Sequence, residues 1–198
     1  MNLSAVILAG GASRRMGCDK AWLEMDGQSL LARAVAKTRE LGAEEIFISG
    51  RAGEDYSPLR CPVLLDREPG FGPLGGIERG LHATASPRLL VLAVDLPHMT
   101  TAFLRKLVAR SDALTGAVPK LNGELEPLAA IYPRRCHVMA FDAIAHGRRA
   151  ARDFALACLH EHAVRTLTVA NADTDCFNNW NTPADVVAPI PWRQSTST

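Results

Sequence analysis

Residues 89–94, Leu-Leu-Val-Leu-Ala-Val, form an unbroken apolar run that stops at Asp95. A run this short, ended by a polar residue, reads as a strand rather than a helix or a membrane span. Three other runs behave alike. Ala5-Val6-Ile7-Leu8 ends at glycines and suggests a strand buried on both faces. Glu45-Ile46-Phe47-Ile48-Ser49 reads as a second strand, and Val63-Leu64-Leu65 as a third that runs into Asp66. Helical stretches separate them. At 29–41 the apolar residues Leu30, Leu31, Ala34, Val35 and Leu41 share one helical face. Ser29 is placed to cap that helix and Gly42 to end it. Another helix is expected to begin near Leu74, and a third at 101–110.

Strand and helix in alternation imply an α/β fold with a mostly parallel central sheet, covered by helices on both faces. After residue 115 the pattern is less regular. A strand is read at 128–132, helices around 134–145 and 150–160, and an alternating strand at 164–169. With 198 residues and no clear linker, one domain over 1–188 is expected, followed by a Pro-, Ser- and Thr-rich tail at 189–198 that is expected to fray.

In an open parallel sheet, ligands bind beyond the carboxyl ends of the strands. Three features lie at such ends: the loop after the first strand, Asp66 and Asp95. The loop contains Gly10 and Gly11, which permit a sharp turn and close approach of a ligand, and then Arg14, Arg15 and Lys20. Backbone N–H groups in such a turn can cradle phosphate oxygens, while the cations meet the charge of a triphosphate. The loop fits neither the Walker pattern nor the dinucleotide fingerprint: Gly11 is followed by five residues, Gly17 and Cys18. Asp95 is a natural ligand for magnesium, which takes one or two carboxylates together with phosphate oxygens and water. Asp66 carries a metal reading less readily and can instead accept hydrogen bonds.

Bulk properties narrow the partners. A formal net charge of +1 gives no reason to expect binding to nucleic acid or to an anionic membrane. The five cysteines show no C-x-x-C pair, and scattered thiols fit a reducing cytoplasm. The first residues lack the marks of a signal peptide, so a cytoplasmic protein is expected.

The run Leu-Ala-Gly-Gly-x-Ser-x-Arg-Met-Gly-x-Asp-Lys at 8–20 resembles the signature of molybdenum cofactor guanylyltransferases. Gly72-Pro73-Leu74-Gly75-Gly76-Ile77, Asp95-Leu96-Pro97 and Asn179-Trp180-Asn181-Thr182-Pro183 follow in the family's order, so that the resemblance covers about residues 4 to 188. It implies a Rossmann-like nucleotidyltransferase fold. The implied activity is transfer of GMP from GTP to the phosphate of molybdopterin cofactor, with release of pyrophosphate and dependence on Mg2+. Carried over by position, Leu8, Ala9, Gly10, Gly11, Lys20, Asp66, Gly76 and Asp95 would form the GTP site. Ser49 would join them, standing where some relatives have asparagine. Lys20, Arg15 and Asp95 would act in catalysis, with Asp95 as the metal ligand. Asn179 and Asn181 would face the acceptor.

The resemblance also implies transient contact with molybdenum-insertion proteins or molybdoenzyme chaperones. A molybdopterin cytidylyltransferase is the nearest alternative, though that group usually reads Leu-Ala-Ala-Gly. A non-catalytic cofactor-binding adaptor is the alternative of another class, against which intact Lys20 and Asp95 argue.

Other features admit two readings. Arg148 and Arg149, with Arg152, form a basic patch at a helix start that either contacts the cofactor phosphate or is a solvated face. Glu126-Pro127-Leu128 either lies on the acceptor side or is an exposed turn. His160-Glu161-His162 invites a metal reading, but residues two apart on a helix point to different sides. Trp22 and Trp180 are expected to be core aromatics rather than stacking platforms.

Overall fold

The computed structural model describes residues 2–10, 20–65 and 70–180. Strands β1 (Leu3–Leu8), β4 (Ile46–Ser49), β5 (Val63–Leu64) and β6 (Arg88–Ala93) lie parallel, with β1 at the centre of this group. Between β1 and β4 come the two-residue strands β2 (Glu24–Met25) and β3 (Gln28–Ser29), then helix α1 (Leu30–Leu41). Helix α2 (Gly72–Ala83) joins β5 to β6, and α3 (Thr101–Arg110) leads to β7 (Gly116–Leu121). The chain continues through β8 (Glu124–Leu125), β9 (Ala129–Pro133), α4 (His137–Ala145), α5 (Ala151–His160) and β10 (Val164–Thr168). The sheet order is β10-β7-β9-β6-β1-β4-β5, with β8 paired to β7.

Alternation along the central strands divides the core in two. Leu3, Ala5 and Ile7 of β1, and Leu90 and Leu92 of β6, pack on the face that contains the apolar residues of α1 and α3. Val6, Leu89 and Val91 point to the opposite face, against α2, α4 and α5. Successive side chains of a strand leave on opposite sides, so an all-apolar strand must be covered twice. The expected two-sided α/β architecture is therefore the one observed. Ser29 caps α1, its Oγ accepting from the Ala32 N–H at 3.2 Å, and the Gly42 N–H closes the helix onto the Arg39 carbonyl at 2.9 Å.

The far half of the sheet differs in direction. β9 runs antiparallel to both β6 and β7, while β10 is parallel to β7. The expected strand at 128–132 is present, but the strand at Gly116–Leu121 was not anticipated. Two hairpins were also missed although the sequence carries their signal. Asp26-Gly27 joins β2 to β3 and Asn122-Gly123 joins β7 to β8. All four residues have positive φ, from 49° to 89°. That is the requirement of a tight two-residue turn whose twist matches the strands it connects.

Among the described residues, no helix is long and apolar enough to cross a membrane. The tail at 189–198 lies outside the described residues.

Candidate active site

β1 and β6 are in register from Leu3↔Arg88 to Leu8↔Ala93, so the segments that follow them emerge side by side at one edge of the sheet. The Val94 N–H donates to the Leu8 carbonyl at 3.2 Å, and the Ala9 N–H to the Ser49 carbonyl at 2.9 Å. Leu8, Ala9 and Gly10 thus continue between the ends of β6 and β4. A Cβ at Gly10 would lie 3.5 Å from the Gly50 carbonyl oxygen, an ordinary contact. The protein described around Gly10 leaves room for a side chain there.

Gly76 has a different role. A Cβ there would lie 2.7 Å from Leu8 Cδ2 and 3.0 Å from Ser49 Cβ, and would also collide with Ser49 Oγ. Glycine at 76 lets α2 sit directly on the ends of β1 and β4. The buried Ser49 side chain lies against it.

The chain re-enters at Lys20, which begins a short 3-10 helix over Lys20–Trp22. Its Nζ reaches Asp95 Oδ2 at 3.4 Å. The two side chains are 18% and 27% exposed, so the pair is neither dry nor fully solvated and is open to a ligand. Residues 75 apart in sequence therefore meet at the sheet edge. Beyond Asp95, the Pro97 carbonyl accepts from Lys37 Nζ of α1 at 2.9 Å. Burial and the nearby Arg33 lower the Lys37 ammonium to about 8, the Cys176 thiol opposing them weakly. Lys37 fixes the loop that carries Asp95. It was not anticipated, because its role depends on which side of α1 meets residues 95–97.

The C-terminal segment closes the same edge. A 3-10 helix over Asn171–Phe177 anchors itself through buried Cys176 and Phe177, with the Phe177 ring set edge-on to Phe103 at 5.2 Å. This directs the Trp180 N–H to the Asp95 carbonyl at 3.1 Å, and places exposed Asn179 beside it. Trp180 packs against the core and meets His98 edge-on, while Trp22 stacks on Tyr56. Both tryptophans pack against the core and remain partly exposed.

On the other flank, the Leu128 carbonyl accepts from the Ala93 N–H at 2.8 Å, which ties the 126–128 segment to the end of β6. Glu126 is half-buried rather than an exposed turn residue, and burial raises its carboxyl above the usual range.

The basic patch divides. Arg148, between α4 and α5, pairs with Asp142 of α4 at 3.1 Å, and Arg152 of α5 pairs with Glu124 of β8, all four side chains being exposed. Arg149 instead lies over the Phe71 ring at 5.5 Å, just ahead of the first turn of α2. His160 lies exposed at the end of α5 beside Glu161, as a solvated terminus would. Arg14, Arg15, Gly11, Cys18, Asp66 and Asn181 lie outside the described residues.

A glycine at the end of the first strand and a lysine–aspartate pair, both at the carboxyl edge of a mostly parallel sheet, make that edge the candidate ligand site of a Rossmann-like fold. Comparison places the chain further. The profile of the MobA-like NTP transferase domain matches residues 5–171, and the chain belongs to that family. It is 36% identical to a probable molybdenum cofactor guanylyltransferase of Opitutus terrae, over 92% of each chain. It is 33% identical to one of Pelotomaculum thermopropionicum, over 94% of this chain and 91% of the relative. A molybdopterin-guanine dinucleotide biosynthesis protein A from Archaeoglobus fulgidus shares the fold. Its TM-score is 0.73 and its identity 24%, covering 92% of this chain and 94% of that one.

Proposed function

We propose that this chain transfers GMP from GTP to the terminal phosphate of molybdopterin cofactor and releases pyrophosphate. The observation that carries the reading is the Lys20–Asp95 pair at the carboxyl edge, walled by residues 8–10 on one side and 179–180 on the other. Its similarity over nearly the whole chain to guanylyltransferases supports the nucleotide and the acceptor.

Asp95 fits a hard cation: one partly open carboxylate is what magnesium takes from protein when phosphate oxygens and water complete its shell. Magnesium held there would supply charge neutralisation at the α-phosphate and the pyrophosphate. The chain's own residues do the rest. Lys20, beside Asp95, is placed to offer its ammonium to the triphosphate. Residues 8–10 present backbone to the nucleotide, with Ser49 and Gly76 setting how closely α2 approaches them. The resemblance assigns Gly11 and Asp66 to GTP binding and Arg15 to catalysis.

Arg149, Asn179 and Asn181 are assigned to acceptor binding, the two asparagines by the resemblance. Arg148 is assigned there as well, alongside its pairing with Asp142 at 3.1 Å. The acceptor phosphate needs no general base, since its second pKa near 6 leaves it largely a dianion at neutral pH. It attacks the α-phosphorus in line, and catalysis is mainly positioning and charge neutralisation. A cytoplasmic location and transient contact with molybdenum-insertion proteins or molybdoenzyme chaperones go with this reading.

The test is direct: incubate protein, magnesium and molybdopterin cofactor with GTP or CTP, and measure pyrophosphate release. Release with GTP and little with CTP is expected. Release with CTP but not GTP overturns the guanylyl assignment, and tight GTP binding without release indicates an adaptor.

A further inference from the structure

α2 has a second functional face. Glu78 and His82 stand four residues apart on it, so both side chains leave the same side of the helix. His137, the first residue of α4, comes to meet them. Its Nε2 lies 2.9 Å from Glu78 Oε1, and its ring centroid is 5.1 Å from that of His82. One ligand atom from each of the three residues falls within 4.8 Å of the others. The Glu78 side chain is only 4% exposed, an unusual place for a carboxylate unless it is paired or bound to metal. Its hydrogen bond to His137 accounts for part of that burial. His82 brings a second imidazole to the same point.

We infer that Glu78, His82 and His137 form a binding site for a divalent transition metal of the zinc class, clamping α2 to α4. Two imidazoles and a carboxylate are a ligand set for zinc, with water in the fourth position. Magnesium, which prefers oxygen donors, is a poor match for it. A tetrahedral ion with bonds of about 2.0–2.1 Å holds its ligand atoms roughly 3.4 Å apart. Binding therefore opens the His137–Glu78 contact slightly and draws in His82, whose exposed side chain can make that adjustment.

The site is separate from the Lys20–Asp95 edge. α4 starts just after Pro133, which pairs with Arg88 at the first residue of β6, whereas Asp95 follows the last residue of that strand. The two sites share α2: its early turns hold Gly76 against Leu8 and Ser49, and its later turns carry Glu78 and His82.

Full-length protein stripped with chelator and titrated with zinc in excess magnesium tests this by calorimetry. One equivalent of zinc is expected to bind, and its affinity is expected to persist in Asp95→Ala. His82→Ala and His137→Ala should each weaken it by at least the roughly 10–100-fold that loss of an outer-shell partner costs at metal sites. Zinc at about a hundredfold excess over the wild-type Kd should raise the wild-type Tm by roughly 5–10 °C, and that of His82→Ala by about half as much or less. His82 is exposed, so its variant remains informative if His137→Ala does not fold. No zinc binding by the wild type, or equal affinity in wild type and His82→Ala, overturns the proposal.

Discussion

The two ends of α2 face opposite chemistries. Its N-terminal turns lie against the carboxyl edge of the sheet, where the described charged groups are an ammonium and a carboxylate suited to magnesium and phosphate. Its C-terminal turns carry nitrogen donors and a buried carboxylate suited to a softer metal. The carboxyl edge draws residues from 8, 20, 49, 95 and 180, while the distal end needs only one helix and the start of another. A site that must bind and release a large substrate is built from loops at strand ends. A site that only joins helices can be built from side chains at helical spacing.

This contrast is open to attack at several levels. The largest effect is expected at the carboxyl edge. Asp95→Ala should reduce kcat by about a thousandfold or more, corresponding to roughly 4 kcal/mol of lost transition-state stabilisation, while zinc binding at the distal end persists. Magnesium-dependent turnover near the wild-type rate would remove Asp95 from the metal site.

Next is Gly76→Ala, which forces a methyl group into Leu8 and Ser49. Overpacking of this kind costs about 1–3 kcal/mol, and denaturant unfolding should read it. Because Ser49 is one of the two obstructions, adding Ser49→Ala should recover part of the loss, a coupling that a double-mutant cycle measures. Unchanged stability in Gly76→Ala would mean that α2 is not seated as tightly as the geometry requires.

The smallest effect concerns Lys37. Its pKa in the folded protein, about 8, lies below the ordinary 10.5, so the unfolded chain binds more protons between those values. Stability from this group therefore rises as pH increases from about 8 to 10.5, as the burial cost of the charge is relieved, and the full cost applies below 8. Lys37→Met should flatten that component. Stability curves of the two proteins that stay parallel over this window would show that Lys37 titrates normally.

Much of this was legible from residue pattern. The β1 and β6 runs, α1 with its Ser29 cap, and the placement of Asp95 at a strand end followed from periodicity and punctuation. The missed hairpins at Asp26-Gly27 and Asn122-Gly123 were legible too, but each flanking strand is only two residues long on one side or both, too short to show alternation. β7 was hidden for another reason. It contains Gly116, Pro119 and Lys120, residues that argue against a central strand. A Cβ at Gly116 would collide with the Ile131 carbonyl oxygen, so glycine is required there by the neighbouring strand.

Local sequence alone determined where apolar strands and amphipathic helices form, because burial on one or two faces imposes a period of 2 or 3.6 on the chain. Tertiary structure decided that β9 enters the sheet antiparallel and that Lys20 meets Asp95. It likewise decided that Lys37 holds the Pro97 loop and that His137 joins Glu78 and His82. Each of these depends on the packing of segments distant in sequence, and no local period records which partner a side chain will meet.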